Sequence, residues 1–129
     1  MVVTELSKEL IDAGSALVSH LDESGAPPGA AFWFYFSETG AWKLVLAEIG
    51  VKGVGPKEVY RRIQGTLASA GDTLASIALE DVALAKPDSP VVALLHIAIK
   101  TGPGVSGIRF KGNVINGTLV DDAYIYRMS

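Results

Sequence analysis

The stretch Ala30 to Phe36, Ala-Ala-Phe-Trp-Phe-Tyr-Phe, constrains the fold more than any other part of the chain. Aromatic residues at this density favour a strand, and a strand alternates its side chains between two faces. Phe32, Phe34 and Phe36 then fill one face and Ala31, Trp33 and Tyr35 the other. Neither face is marked for water, so the strand must be covered on both sides or meet a partner. Ser-Glu-Thr-Gly follows, and then the apolar run Trp42 to Ile49, which predicts a β-hairpin turning near Gly40. On the second strand Trp42, Leu44 and Leu46 share a face with Glu48, and Lys43, Val45, Ala47 and Ile49 share the other.

Helical periodicity supplies the covering layers. Leu6, Leu10, Ala13, Leu17 and Leu21 predict an amphipathic helix from about Thr4 to Glu23, with Thr4 as N-cap and Gly25 before Pro27-Pro28 as the stop. Pro56 opens a second helix running to about Gly71, with Val59, Ile63, Leu67 and Ala70 as its buried stripe. Gly65 inside that helix implies close approach by another backbone. Asp88-Ser89-Pro90 starts a third helix over Val91 to Lys100, apolar from Val91 to Ile99 except at His96. Between the second and third helices, Leu74 to Ala85 reads as a strand broken or bulged at Glu80-Asp81. The chain closes in short strands, Ile108 to Lys111, Val114-Ile115 and Ala123 to Met128, with a Lys-Gly-Asn break and an Asn116-Gly117 turn. On the last strand Tyr124, Tyr126 and Met128 fall opposite Ile125 and Arg127. This order predicts one α+β domain over residues 1–129, a mostly antiparallel sheet of hairpins with three helices packed on it as a single layer pair.

Composition bears on how the surface is used. Hydrophobic residues make up 49% of the 129 and charged residues only 19%, against about 25% charged in an average soluble domain. Some of the surface must therefore be apolar, which a second copy or another protein would cover. Charge is unevenly spread: residues 1–48 carry seven acids and two bases, residues 49–71 one acid and four bases. The net charge of −3 argues against a general nucleic-acid binder. The absence of cysteine excludes disulfides, thiol catalysis and Cys-ligated metals. The N-terminal stretch has acids among its apolar residues and no basic segment, and no apolar run reaches membrane-spanning length, so a reducing cytoplasm is the expected compartment.

Catalytic patterns are weak. His20 and His96 have no evident positioned partner, no nucleophile elbow occurs, and Glu48 lacks the second carboxylate a divalent metal needs. No metal site and no cofactor is expected, and an enzyme is not supported. Gly-Val-Lys-Gly-Val-Gly before Pro56 places Lys52, Gly53, Gly55, Lys57, Arg61 and Arg62 around a helix start, a chemistry suited to a phosphate or other anion. Its spacing matches neither a P-loop nor a dinucleotide fingerprint. The aromatic strand could stack bases, but its surroundings are acidic or apolar, which favours core packing or protein recognition.

The residues Ala31-Phe32-Trp33-Phe34-Tyr35, Trp42-Lys43-Leu44-Val45, Gly55-Pro56 before Val59 to Ile63, and Asp122 to Arg127 resemble a set of small bacterial proteins of unassigned function. The resemblance implies a bacterial source and a single domain, and brings no catalytic residues with it. The expected function is thus a non-catalytic protein-interaction module, self-associating or a subunit of a larger assembly, with contacts through Trp33, Tyr35, Val92, Leu95, His96 and Ile99. The alternative is a sensor or binder of a phosphate-bearing ligand or nucleic acid at the basic helix start.

Overall fold

The computed structural model of the chain describes residues 3–47, 56–69, 74, 76–86 and 88–129. Its helices are α1 (Lys8–Glu23), α2 (Pro56–Ser69) and α3 (Pro90–Ala98). Its strands are β1 (Ala30–Phe36), β2 (Ala41–Ala47), β3 (Val82–Ala85), β4 (Ile108–Ile115) and β5 (Thr118–Met128). The strands form one sheet in the order β3-β2-β1-β5-β4. The fold is α+β with a mostly antiparallel sheet; the β2/β3 pair is parallel, and a parallel pair needs a crossover such as α2 supplies.

The doubly apolar strand β1 takes the central place. It pairs antiparallel with β2 from Ala30 opposite Ala47 to Phe36 opposite Ala41, and with β5 on its other side. Its alternating side chains feed two cores. Ala31 and Trp33 join Trp42, Leu44 and Leu46 beneath Leu10, Leu17 and Leu21 of α1 and Ile63 of α2. Phe32 joins Val45, Ala123 and Ile125 beneath Val92 and Leu95 of α3 and Ile99 at its C-cap.

Local chemistry moves several boundaries from their sequence-predicted places. Ser7 rather than Thr4 caps α1, its hydroxyl accepting from Leu10 N at 3.2 Å. At the other end Gly25 adopts φ +80°, and Ala26 N–H donates to Leu21 O at 2.9 Å, the Schellman arrangement. The described residues between Leu74 and β3 are not strand: Leu79–Asp81 forms a 3-10 turn, because Asp81 Oδ2 accepts from Ala78 N at 3.0 Å and satisfies that backbone locally. In the terminal hairpin Asn116 and Gly117 both have positive φ, as a type I′ turn requires. The Lys-Gly-Asn break does not divide β4. Gly112, at φ +63°, lies between the pairs Lys111/Asp122 and Asn113/Val120, and the ribbon turns over there. Arg109 and Tyr124 sit on the α1 side, whereas Ile115 and Val120 enter the α3 core.

A register shift in the β1/β5 ladder corrects the phase of the last strand. Ala31 faces Arg127 but Phe32 faces Ile125, so Tyr126 is an extra residue. Tyr126 and Arg127 consequently both lie on the α1 side, and Met128 joins Ile125 in the α3 core. Arg127 is buried and forks onto Asp22 of α1 at 2.9 and 2.7 Å, while also donating to Pro28 O at 2.9 Å. Tyr126 accepts from Trp33 Nε1 at 3.0 Å and donates to Ile11 O at 2.6 Å.

That tyrosine explains Gly14. A Cβ built at Gly14 would collide with the Tyr126 hydroxyl and come within 2.8 Å of Trp33 Nε1. Gly65, by contrast, is exposed, with nothing among the described residues within 4 Å of such a Cβ, so the close approach its sequence position suggested is not found there. The two helix glycines should therefore respond oppositely in urea melts. Gly65→Ala should stabilise by about 0.5–1 kcal/mol through helix propensity, and Gly14→Ala should destabilise by about 1–3 kcal/mol through overpacking.

Burial pushes the Tyr126 hydroxyl well above the ordinary tyrosine pKa. The folded state then holds this proton more tightly than the unfolded chain, so the contribution is complete below about pH 10 and is lost as pH rises beyond it. Tyr126→Phe should cost about 1–3 kcal/mol at neutral pH, because Trp33 Nε1 and Ile11 O lose their partner. The same variant should show a shallower loss of stability between pH 10 and 12 in parallel denaturant titrations.

Candidate interaction surface

Helix α3 is apolar all round, but the sheet takes only one of its faces. Val92, Leu95 and Ile99 are buried in the core, and Trp33 is fully buried on the opposite side of the sheet. These four residues have almost no surface to offer a partner, which corrects the expected interface. Their spacing marks the face with the greatest apolar area, and that face is consumed by the chain's own sheet. His96 is exposed, together with Ile97 on the outer side of α3. Tyr35 is half-buried, its ring 5.6 Å from that of Trp42.

The usable apolar surface lies where β5 outruns β1. The β1/β5 ladder covers only Ala123 to Met128 of β5, so Thr118 to Asp122 continue past the central strand with β4 as their sole strand neighbour among the described residues. Val114 and Leu119, directly paired across this extension, are 67% and 56% exposed. Between the extension, the end of β1 and the start of α3 lies a groove of about 420 Å³. Its apolar lining comes from Phe34, Phe36, Val91, Leu94 and Leu119. The Phe34 and Phe36 rings sit 4.9 Å apart along its floor, and Glu38 and Asp121 are its charged members. Ser89 positions the α3 wall by capping the helix: its hydroxyl accepts from Val92 N at 3.4 Å, and Pro90 begins the first turn.

A second groove, about 490 Å³, adjoins the first through the shared residues Tyr35 and Asp121. Here Arg109 donates twice to Asp122, at 2.6 and 2.5 Å, and its guanidinium lies 5.6 Å from the Trp42 ring centroid. The bond to Asp122 raises the arginine's pKa. The charge of Asp122 is therefore paired, whereas its neighbour Asp121, which lines the same groove as Arg109, makes no ion pair among the described residues.

The basic helix start is only partly described. Lys52, Gly53, Gly55 and also Glu48 lie outside the described residues. Lys57, Arg61 and Arg62 are exposed on α2, and Arg61 is engaged by Glu58 of its own helix at 3.0 Å. His20 sits half-buried in the last turn of α1. Among the described residues no three His, Asp or Glu side chains are grouped as metal ligands would be, and no helix is long and apolar enough to cross a membrane.

The chain matches no family model, no curated protein and no solved structure. These comparisons assign no residue role and give no support to a bacterial source.

The sequence offers the strand carrying Phe34 and Phe36 and the helix carrying Leu94 as contact elements without singling these residues out, and it does not reach Leu119, because periodicity assigns a face without showing where its cover ends. Val114 and Leu119 did carry a signal. The two-residue turn Asn116-Gly117 sets the register, which pairs Ile115 with Thr118 and then Val114 with Leu119.

The Arg109–Asp122 fork makes its own prediction. Asp122 is nearly buried and Arg109 is substantially exposed, so solvent screens part of the pair and Arg109→Met should cost about 1–2 kcal/mol. Thermal melts should show the loss shrinking as salt is raised.

Proposed function

We propose that this chain is a non-catalytic protein-interaction module that self-associates through the outer face of its β4/β5 hairpin. The observation that carries the reading is the exposed cross-strand pair of Val114 and Leu119 on a ribbon extending past the sheet's centre. An apolar pair held rigidly in a hairpin loses little entropy on contact and excludes water from a matching surface. The sparse surface charge supports the same reading, since interface cores are depleted of charged residues.

The backbone edge of β4 is poorly suited to strand addition. Lys111 and the positive-φ Gly112 interrupt it at mid-length, devices that blunt edge pairing. The contact is therefore side chain to side chain. A two-fold arrangement would set Val114 and Leu119 of one copy against the same residues of the other, an isologous interface.

Light scattering on a gel-filtration peak tests this directly. The wild-type chain should elute at a multiple of 13.5 kDa. Val114→Lys and Leu119→Lys should each shift it to the monomer with unchanged circular dichroism, because both side chains lie outside the core. A wild-type protein that stays monomeric at about 1 mM, where a contact worth about 4 kcal/mol would already populate the dimer, overturns the proposal.

A further inference from the structure

We infer that the groove between β1, the start of α3 and β5 docks an extended segment of a partner protein that carries an aliphatic or aromatic side chain beside a lysine or arginine. The inference rests on reading the chain as an interaction module; the groove shares Leu119 with the proposed self-association pair but not Val114. The floor supplies the first half of the recognition. Phe34, Phe36, Val91 and Leu94 are each half-buried, apolar and still reachable from solvent. A volume of about 420 Å³ lies within the range of pockets that take a small ligand or an anchoring side chain, about 300–1,000 Å³.

The rim supplies the second half. Both charged residues lining the groove, Glu38 and Asp121, are acids. Neither is engaged by an ion pair or a side-chain hydrogen bond among the described residues, whereas Asp122 beside them is already held by Arg109. An apolar cleft bordered by two uncompensated carboxylates favours a cation flanking the inserted side chain and repels an acidic segment. At the end of β1, Phe36 O is already occupied, accepting from Thr39 N at 3.1 Å and Gly40 N at 2.9 Å. The side chains of floor and rim set the specificity.

The test is selection of phage-displayed random dodecapeptides on the Val114→Lys protein, with counter-selection on the same protein carrying Leu94→Asp. Using Val114→Lys keeps the outcome independent of self-association, so failure here and failure of the hairpin interface are read separately. Enriched sequences should place Leu, Ile, Phe or Trp next to Lys or Arg. The best synthetic peptide should bind about tenfold more weakly to a Glu38→Gln/Asp121→Asn protein, the loss expected for two partly exposed ion pairs. Its binding should also weaken in about 0.5 M salt. Should Leu94→Asp fail to fold, the Glu38→Gln/Asp121→Asn protein serves as the counter-selection. Absence of enrichment, enriched sequences without bases, or equal binding to the carboxamide variant would overturn the inference.

Discussion

The need to cover both faces of β1 organises the rest of the molecule. A strand carrying Trp33 on one side and Phe32 on the other cannot lie at a solvated edge, and it sits with two strands on its flanks. Helices α1 and α2 close one face and α3 the other. The extra residue in β5 follows from the same demand. By placing Tyr126 and Arg127 together on the α1 side, the bulge lets one side chain satisfy Trp33 Nε1 and the other hold Asp22. Each buried polar atom thereby gains a partner, which avoids the several kcal/mol, roughly 2–7, that an unpaired one would cost.

Close packing around that node has a sequence consequence. With the tyrosine hydroxyl donating to a helix carbonyl, α1 must approach the sheet so closely that residue 14 has room for hydrogen alone. The glycine answers a packing constraint set 112 positions away along the chain, by Tyr126. Helix propensity taken alone would count it as a defect.

The surface features follow from unequal lengths. β1 has 7 residues and β5 has 11, so the terminal hairpin overhangs the central strand. Beyond the last β1 pair, the chain still presents apolar side chains but the sheet no longer has a strand to cover them. One side of this overhang becomes the groove floored by Phe34 and Phe36 and lined in part by Leu119, and Val114 opposite Leu119 remains in water. Two adjacent acids at the same place have different fates. Asp122 points to Arg109 over Trp42, and Asp121 opens onto both grooves.

Much of this architecture was readable from residue order. The two-faced strand, its hairpin with β2, the amphipathic α1, the Ser89-Pro90 start of α3 and the Asn116-Gly117 turn all depend on side-chain periodicity or on local backbone chemistry, which act within a few residues. The parallel placement of β3, the bulge at Tyr126, the reason for Gly14 and the burial of Trp33, Val92, Leu95 and Ile99 depend on which distant segments meet. Periodicity assigns a residue to a face, but whether that face meets the chain's own sheet or the solvent depends on strand order and relative length. For that reason the expected contact residues largely became core, and the exposed apolar surface arose at an overhang whose register the Asn116-Gly117 turn sets but whose extent past β1 only the relative strand lengths decide.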